Sequence, residues 1–534
     1  MNGIRFVLSY WVTCAVLGLS PSTAVAQGGF IEADADDNQQ ISAEELGRYV
    51  AGKVPGIDGR ADVLLITSER LAPAWQEFAR WKTQTGRPTK IVTVEQIDQQ
   101  FEGADLQAKI RQCCLQHIDQ HRTRWVILGG DSRGDGSSHV PDRDTHHSDF
   151  YRYEDIPTDI YYLSRGDWDA NDDGVYGKFA DDLEAVDYVH PNASLGRIPV
   201  RTAEDVAAYT RKVIAYESDY PVDDFAAKMI YTCPEAGAYP KLSTSKKTLE
   251  ESWKPGNISQ FFANRSPWDQ EQPGDYDLTP ANWVKMINQR QAAKIHMHGH
   301  GFLPLWVLEG QTRASLDTIG NLSNENAYPI ITTVSCFTGH YDAPQDPAIT
   351  ESILRKSNGG AIAIIAPSRE GIPVFHQSSD FKLMMTEGKM DGTTEFLTRF
   401  WAHALGSGGT IGDAFGAARV DMTPHAKRTI GYHFVQCELN LLGDPTLDVR
   451  AQPPRTIKGK LAVDTSAPQV SSITVTGVAD CQVCLWDGGK DYQIKAADSE
   501  GKVVFEVSNQ TSREISVAAY APNRNIWTES VVLK

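Results

Sequence analysis

Two short blocks of the sequence carry side chains that could cleave a bond by nucleophilic attack. The first block is KIHMHGHGF, in which His296, His298 and His300 alternate and a glycine lies on each side of His300. The second block is IITTVSCFTGH, in which Cys336 follows an apolar and β-branched run. An imidazole close to a thiol favours the nucleophilic thiolate and can later protonate a leaving amine. A cysteine and a histidine brought together from these blocks would suit peptide hydrolysis.

Each block is predicted to end a β-strand. The run 330–334 is typical of a strand that is buried on both faces, and the first block is strand-like up to its glycines. Cys336 lies 36 positions after His300, a separation that fits a β-α-β crossover, so we expect the two strands to be parallel neighbours. Their carboxyl ends would then share one edge of the sheet. There the main-chain amides of Gly301 and Cys336 are the expected oxyanion donors.

A zinc site is the alternative interpretation of the alternating histidines. His296, His298 and His300, with His340 and Asp342 further along, are residue types that a zinc hydrolase would use. However, the third histidine lies between two glycines beyond the expected strand end, and no HxHxDH pattern is present. We therefore expect the first two histidines to line or support a substrate cleft.

The order of apolar runs predicts an α/β protein with mostly parallel sheets. Strands and helices alternate from Ala61 onward, which predicts one α/β subdomain over residues 59–222 and a second, catalytic one over residues 223–451. Short β-rich runs then predict a small β-sandwich over residues 455–534. The apolar strand GGAIAIIA of the second subdomain precedes three polar residues that either border the cleft or form a surface turn: Ser368, Arg369 and Glu370.

An acidic loop in the first subdomain predicts a structural calcium site. In DWDANDDG, oxygen-bearing side chains recur at Asp167, Asp169, Asn171 and Asp173, and Gly174 supplies a turn. Oxygen ligands at alternate positions can wrap around a hard cation. The alternative is a solvated acidic turn.

Residues 27–58 contain a second acidic pattern, which resembles an EF-hand loop followed by a helix. The loop positions that normally hold calcium are occupied by Asp34, Asp36, Asn38, Gln40, Ser42 and Glu45. Gln39 stands where an EF-hand normally has glycine, and no convincing helix precedes the loop. A weakened calcium site and an acidic linker are therefore equally good interpretations.

The N-terminus predicts export. Arg5 precedes an apolar run, and Ala24 and Ala26 form a small-x-small pattern, so residues 1–26 are interpreted as a signal peptide. A retained anchor is the alternative. The chain is thus expected to be secreted, periplasmic or on the cell surface, with no stable membrane insertion after cleavage. A net charge of -18 argues against nucleic-acid partners, which require a concentrated positive surface.

The residues around the two blocks resemble the gingipain family of clan CD cysteine peptidases. Gly299-His300-Gly301 matches the GHG block of that family, and Ser335-Cys336 matches its SC or AC block. Similar blocks in the family's order, such as LGRIPVRTAEDVAAYTRKVIAYE and LNLLGDPTLDV, extend the resemblance over roughly residues 60–450. The resemblance implies two caspase-like α/β subdomains, an immunoglobulin-like domain after them, bound calcium and no catalytic metal. It leaves the preferred substrate residue open.

The sequence as a whole therefore predicts a secreted cysteine endopeptidase that acts on proteins or peptides, with Cys336 as nucleophile and His300 as general acid and base. Two other functions stay open at this level. One is an exported calcium-binding adhesin or processing factor whose peptidase-like domain is not catalytic. The other is a zinc hydrolase that uses the three alternating histidines.

Overall fold

The structure is a computed structural model. It describes residues 60–133, 138–151, 153–233, 260–263, 274–344, 347–372, 392–406, 409–467, 469–489, 491–508 and 511–533. The predicted signal peptide and the EF-hand-like loop, with Asp34, Asp36, Asn38, Gln40 and Glu45, lie outside the described residues. Within the described part of the chain, no helix has the length and apolar character needed to cross a bilayer.

Most strands before residue 450 belong to one sheet. In chain order the strands are β1 (Val63–Thr67), β2 (Thr89–Thr93), β3 (Trp125–Gly129), β4 (Arg143–His147), β5 (Tyr153–Thr158), β6 (Ser194–Ile198), β7 (Lys228–Thr232), β8 (Gln260–Ala263), β9 (Lys294–Met297), β10 (Gly301–Phe302), β11 (Leu305–Val307), β12 (Arg313–Ser315), β13 (Ile330–Thr333), β14 (Ala363–Pro367) and β15 (Leu439–Gly443). Ten of them form a sheet of order β2-β1-β3-β6-β15-β14-β13-β9-β7-β8. The α/β class with a large, mostly parallel sheet agrees with the prediction.

The two predicted subdomains share this single sheet. The first subdomain supplies β2, β1, β3 and β6, and the second supplies the other six strands. Strand β15 pairs in parallel with β6 through Leu442 and Arg197, and antiparallel with β14. All other neighbouring pairs are parallel. As a result, the carboxyl ends of β14, β13, β9 and β7 lie at one edge, beside the amino end of β15.

Helices connect the strands and cover the sheet. They are α1 (Gln76–Gln84), α2 (Val94–Gln100), α3 (Leu106–His121), α4 (Ala203–Ser218), α5 (Pro280–Asn288), α6 (Leu316–Gly320), α7 (Ile349–Arg355), α8 (Gly392–Gly406), α9 (Ile411–Ala426) and α10 (Ile430–Glu438). The local sequence determines where several of these helices begin. Helix α4, for example, begins at a capping box in which Thr202 and Asp205 each accept a hydrogen bond from the other's main-chain amide.

The strands are buried on both faces because their residues alternate between two cores. In β1, Val63 and Leu65 pack into one apolar cluster, and Leu64 and Ile66 pack into the cluster on the opposite face. All four side chains are fully buried. Each such burial contributes roughly 1.5–3 kcal/mol of hydrophobic free energy. This explains why these strands read as continuous apolar runs in the sequence.

The chain after residue 450 forms two antiparallel sheets that share one core. Its strands are β16 (Arg455–Thr456), β17 (Lys460–Asp464), β18 (Val470–Thr476), β19 (Gln482–Trp486), β20 (Tyr492–Ala496), β21 (Lys502–Ser508), β22 (Arg513–Tyr520), β23 (Arg524–Asn525) and β24 (Trp527–Leu533). The sheets have the orders β17-β18-β21 and β20-β19-β22-β24. Alternate residues such as Ile473, Val483 and Phe505 fill the core between them. The unit packs on the first subdomain, where Asn525 donates to the Tyr220 carbonyl at 2.8 Å.

Candidate active site

Two neighbouring strands carry the histidine and the cysteine to one edge of the sheet. Strands β9 and β13 are parallel and hydrogen-bonded, with Met297 opposite Thr333. This confirms the pairing predicted from the sequence. His300 and Cys336 each lie three residues beyond the last residue of their strand. Both residues therefore leave the sheet at the edge where open α/β folds place ligands.

Gly301 packs directly against the segment that contains Cys336. A Cβ atom placed on Gly301 would lie 2.6 Å from Thr338 Cγ2, 2.7 Å from Ser335 Cβ and 3.1 Å from the Cys336 carbonyl oxygen. These separations leave no room for a side chain at residue 301. The carbonyl of His300 accepts from the Val307 amide at 3.0 Å, which joins the histidine to the hairpin of β10 and β11. The main chain next to His300 is thus held against the main chain of the cysteine.

Gly301→Ala tests this contact. We expect kcat/KM for peptide cleavage to fall by on the order of 10²-fold, because the added methyl group must push the two segments apart and a shift of about 1 Å can cost that much. The matched control is Gly320→Ala, at the end of α6, where a Cβ would meet no heavy atom within 4 Å. Steady-state kinetics with circular dichroism would check both variants. Equal activity of the two variants would contradict the close packing.

Cys336 projects from a tight turn at the exit of β13. Phe337 has a φ of 58°, in the left-handed region that non-glycine residues seldom occupy. The turn is fixed because the Phe337 amide donates to the Arg369 carbonyl at 2.6 Å and the Thr338 hydroxyl donates to the Ser335 carbonyl at 2.7 Å. Cys336 is half-buried, whereas the other six cysteines of the described chain are buried. It is therefore the described thiol that is most open to a substrate.

Two carboxyl groups lie on the other side of the nucleophile from the histidine strand. The Ser368 amide donates to the Glu438 carbonyl at 3.0 Å, which brings the end of β14 beside the start of β15. The buried Glu438 side chain accepts from the Thr393 hydroxyl at 3.2 Å, and Glu370 accepts from the Tyr153 hydroxyl at 2.6 Å. Burial raises the pKa of both carboxyl groups, that of Glu438 well above its ordinary value. Glu438 was missed by sequence reasoning, although a charged residue directly before the apolar run LNLLG was a usable signal.

This environment keeps the cysteine in its thiol form. Burial, and next the nearby Glu370, raise the pKa of Cys336 to about 12. The sequence led us to expect that the imidazole would favour a thiolate, whereas burial and the nearby carboxyl groups favour the protonated thiol. Because the thiol carries its proton at neutral pH, a base must remove this proton as the sulfur attacks.

The raised pKa predicts a particular pH dependence of alkylation. The rate at which iodoacetamide modifies Cys336 should rise about tenfold per pH unit from pH 7 to pH 10, since only the thiolate reacts and its fraction grows tenfold per unit below the pKa. Site-resolved mass spectrometry would follow the modification, with Cys336→Ala as the blank. A plateau near neutral pH would instead indicate a thiolate-imidazolium ion pair.

The other two histidines of the first block are buried beneath the edge. Nδ1 of His296 lies 2.9 Å from the Thr332 hydroxyl, which also accepts from Trp401 Nε1 at 2.9 Å. The His296 ring stacks on Tyr231 at 5.5 Å between centroids. Burial lowers the pKa of His296 well below its ordinary value and that of His298 to about 4. Both rings are therefore neutral, and they support the strands rather than line an open cleft.

This arrangement does not support a zinc site at the three alternating histidines. Among the described residues, one group of three histidine, cysteine or acidic ligand atoms lies close enough to hold a metal, and it includes none of these histidines. Asp342 instead accepts from the two terminal nitrogens of Arg369 at 3.1 and 2.8 Å and lies 3.4 Å from His340 Nε2. Burial alone would raise the pKa of Asp342, but hydrogen bonds from His340 and Arg369 lower it to about 2.

The polar residues after β14 are not a surface turn. Ser368 and Arg369 are 0% and 2% exposed, and Glu370 is half-buried. Arg369 also lies 3.6 Å from the Asp155 carboxylate. Its guanidinium links the loop after β13 to β5 and so stabilises this edge of the sheet.

The acidic loop of the first subdomain is held by hydrogen bonds from its own main-chain amides to its carboxylates. Asp169 accepts from the amides of Asp173 and Gly174 at 2.9 and 3.0 Å, and Asp173 accepts from the Val175 amide at 2.8 Å. Gly174 has a φ of 79°, a conformation that favours glycine. The side chains of Asp167, Asn171 and Asp173 are exposed, and that of Asp169 is half-buried. Their oxygens thus remain on one short solvent-facing loop.

A buried carboxylate closes the same loop. Asp182 is fully buried and accepts from the amides of Ala170 and Lys178, both at 2.8 Å. Sequence reasoning missed Asp182, because its role depends on a turn after the recognisable motif. The hard oxygen donors and the fixed turn fit a calcium ion chemically.

The chain is similar to one known sequence family and to several solved structures. A sequence model of peptidase family C25 matches residues 57–450. Three solved structures are similar at low sequence identity: the complex of the pro- and mature domains of Porphyromonas gingivalis RgpB, the Arg-specific cysteine proteinase gingipain R (RgpB), and a third described as a protease. The first has a TM-score of 0.60 at 17% identity and covers 89% of this chain and 100% of its own. No curated protein sequence matches the chain.

The second structure has a TM-score of 0.60 at 17% identity over 90% of this chain and 98% of its own. The third has a TM-score of 0.58 at 15% identity over 88% and 97%. At such identities the structural likeness shows the fold alone.

Proposed function

The chain belongs to peptidase family C25 and is a cysteine-type peptidase of protein or peptide substrates, and on this basis we propose a secreted endopeptidase that works through Cys336 and His300. One observation carries the proposal. Among the cysteines that the structure describes, Cys336 is the half-buried one, and it follows the strand that pairs with the strand of His300. The packing of Gly301 against the cysteine segment supports the same pair.

Because Cys336 carries its proton before the reaction, the reaction must begin with the transfer of that proton to a base. His300 takes the Cys336 proton as the sulfur attacks the substrate carbonyl carbon, and the amides of Gly301 and Cys336 stabilise the oxyanion. The imidazolium then protonates the leaving amine, which leaves an acyl group on the sulfur. His300 next removes a proton from water as the water oxygen attacks the thioester carbonyl. The C–S bond then breaks, the product acid leaves, and the imidazolium returns its proton to the Cys336 sulfur. A positioned general base contributes typically 10²–10⁴-fold in rate, and each oxyanion donor about 10²–10³-fold.

A library of end-blocked and unblocked peptides tests the reaction class. We expect the wild-type protein, with calcium and a reductant, to cleave internal bonds in both sets, because an endopeptidase needs no free terminus. Mass spectrometry of the products would also give the residue preference. Products shortened only from their ends would contradict an endopeptidase. An absence of cleavage in every condition would favour the non-catalytic adhesin or processing factor.

Export and the C-terminal domain are parts of the same proposal. Cleavage after Ala26 would leave Gln27 as the first residue of the mature chain, which N-terminal sequencing of the exported protein would detect. We assign an immunoglobulin-like domain to residues 455–534, supported by the antiparallel sheets of three and four strands around one core. Its contacts with the first subdomain suit a packing role.

We also propose structural calcium at the acidic loop, held by Asp167, Asp169, Asn171 and Asp173. Chelation should lower Tm, because a bound ion stabilises the folded state by about 2.7 kcal/mol at a free concentration 100 times its Kd. Asp169→Ala should have the low Tm already and lose the response to chelator. The control is Asp149→Asn, an exposed acid outside the loop. If chelation leaves the Tm of the wild-type protein unchanged, the loop is a solvated acidic turn without bound calcium.

The EF-hand-like loop at Asp34 to Glu45 is the second calcium candidate. Isothermal titration would count the ions per chain. Glu45→Gln should remove one ion and leave the site at Asp169 intact, because that glutamate is the bidentate ligand of an EF-hand. An unchanged count would identify residues 27–58 as an acidic linker.

A further inference from the structure

A second group of metal-ligating side chains lies outside the proposed catalytic pair. His147 is the last residue of β4, and His433 and Cys437 lie four residues apart, about one turn, on α10. One nitrogen of each ring and the sulfur of Cys437 lie within 4.8 Å of one another. His433 and Cys437 are 0% exposed and His147 is 2% exposed. Within the described chain, this is the group of three that could hold a metal.

The hydrogen bonds of His433 identify Nδ1 as the ring nitrogen with a lone pair, which the Tyr188 hydroxyl contacts and which a metal would take over. Its Nε2 lies 2.6 Å from the Gly177 carbonyl, and a carbonyl can only accept, so Nε2 carries the proton. In the neutral ring, Nδ1 is then unprotonated and accepts from the Tyr188 hydroxyl at 2.5 Å. Metal-ligating histidines commonly donate their other ring N–H to a backbone carbonyl in this way. The ring is thus oriented as a ligand would be.

His147 offers a buried lone pair without a hydrogen-bond partner. The Thr145 hydroxyl donates to the Ile156 carbonyl at 3.1 Å, so it accepts from His147 Nε2 at 3.2 Å. His147 Nδ1 therefore carries a lone pair, and no hydrogen-bond donor reaches it. A buried acceptor left in this state costs about 1–3 kcal/mol. The Cys437 sulfur also lies within hydrogen-bonding reach of the Thr145 hydroxyl, which places the two ligand elements around the same space.

We propose that His147, His433 and Cys437 bind a structural zinc ion. Imidazole nitrogen and thiolate sulfur are the donors that zinc prefers, and three protein ligands leave a fourth position for water or the Tyr188 oxygen. Binding forms the zinc-sulfur bond and releases the thiol proton to solvent. Burial raises the pKa of Cys437 to about 12 without metal, so the ion must compete with that proton.

The site would join three parts of the chain that matter for the reaction. Zinc would tie β4 to α10, whose last residue, Glu438, lies beside the nucleophile. The Gly177 carbonyl links the same histidine to the end of the acidic loop. The ion is therefore expected to stabilise the catalytic edge without taking part in catalysis.

Metal analysis of the full-length protein tests the site. After expression with added zinc and extensive dialysis, wild-type protein should hold one zinc per chain by plasma mass spectrometry, and Cys437→Ser should hold none. Cys114→Ser is the control, since this thiol is equally buried on α3. Cobalt substitution should give a thiolate-to-cobalt charge-transfer band in wild type that Cys437→Ser lacks.

Further variants keep the test decisive. If Cys437→Ser fails to fold by circular dichroism, His147→Gln replaces it, because His147 contributes one side-chain hydrogen bond. His300→Ala should keep its zinc; zinc lost from that variant but retained in Cys437→Ser would overturn the proposal. Wild-type protein without stoichiometric zinc or a cobalt band would also overturn it and identify a hydrogen-bonded core cluster. None of these readouts depends on peptidase activity, so failure of the proposed function would appear separately.

Discussion

Cys336→Ala should abolish cleavage of any peptide that the wild-type protein cleaves, lowering kcat/KM by on the order of 10³-fold or more. The expectation follows from the role of the sulfur, since without a nucleophile no acyl intermediate can form and only binding and oxyanion stabilisation remain. The half-buried position of Cys336 makes a large folding defect unexpected. Progress curves with a fluorogenic peptide chosen from the library would measure the loss.

The matched control for this variant is Cys481→Ala, which removes a buried thiol directly before β19 in the C-terminal domain. It should retain wild-type kcat/KM. Thermal unfolding of both variants would show that the comparison concerns chemistry and not stability. Retained cleavage by Cys336→Ala would mean that another residue attacks the substrate.

His300→Ala is expected to have a loss of similar size, expressed mainly in kcat. The resting thiol is protonated, so the sulfur becomes nucleophilic only when a base removes its proton. Residues that act as a unit show strongly non-additive effects. The double variant Cys336→Ala/His300→Ala should therefore be hardly slower than either single variant.

His403→Ala is the control for the histidine, because this ring pairs with Asp421 at 2.8 Å on helices of the covering layer. It should change kcat little. Multiplicative losses in the double variant would contradict a shared step. An active His300→Ala would assign the base to another group.

The pairing of β9 with β13 was predictable because its signals are local. A β-branched run before Cys336 and the separation of 36 positions between His300 and Cys336 favour parallel neighbouring strands. The alternating oxygens of the loop at Asp169 are local in the same sense. Each of these features can be recognised without knowing which distant residues pack nearby.

The merger of the two subdomains into one sheet was not predictable, because it depends on distant contacts. Strand β15 reaches β6 through Leu442 and Arg197, about 245 positions apart. Arg197 is fully buried and binds Asp159 through Nε at 2.8 Å and Nη2 at 2.6 Å. The sequence around an arginine in a strand does not reveal whether its side chain faces solvent or a buried acidic partner.

The environment of the nucleophile was hidden for the same reason. Glu370 and Glu438 belong to different elements, and their shared effect on the pKa of Cys336 depends on burial that the sequence does not encode locally. The group of His147, His433 and Cys437 is similar. Only the spacing of the last two, four apart on one helix, could have been noticed beforehand.

The most direct measurement of the central claim is active-site trapping. A peptidyl acyloxymethyl ketone, built on a sequence that the protein cleaves, would alkylate the attacking sulfur and be located by peptide mapping. We expect one adduct per chain, on Cys336, and greatly slowed labelling in His300→Ala. An adduct on any other residue, or continued peptide cleavage by protein fully labelled at Cys336, would contradict the account.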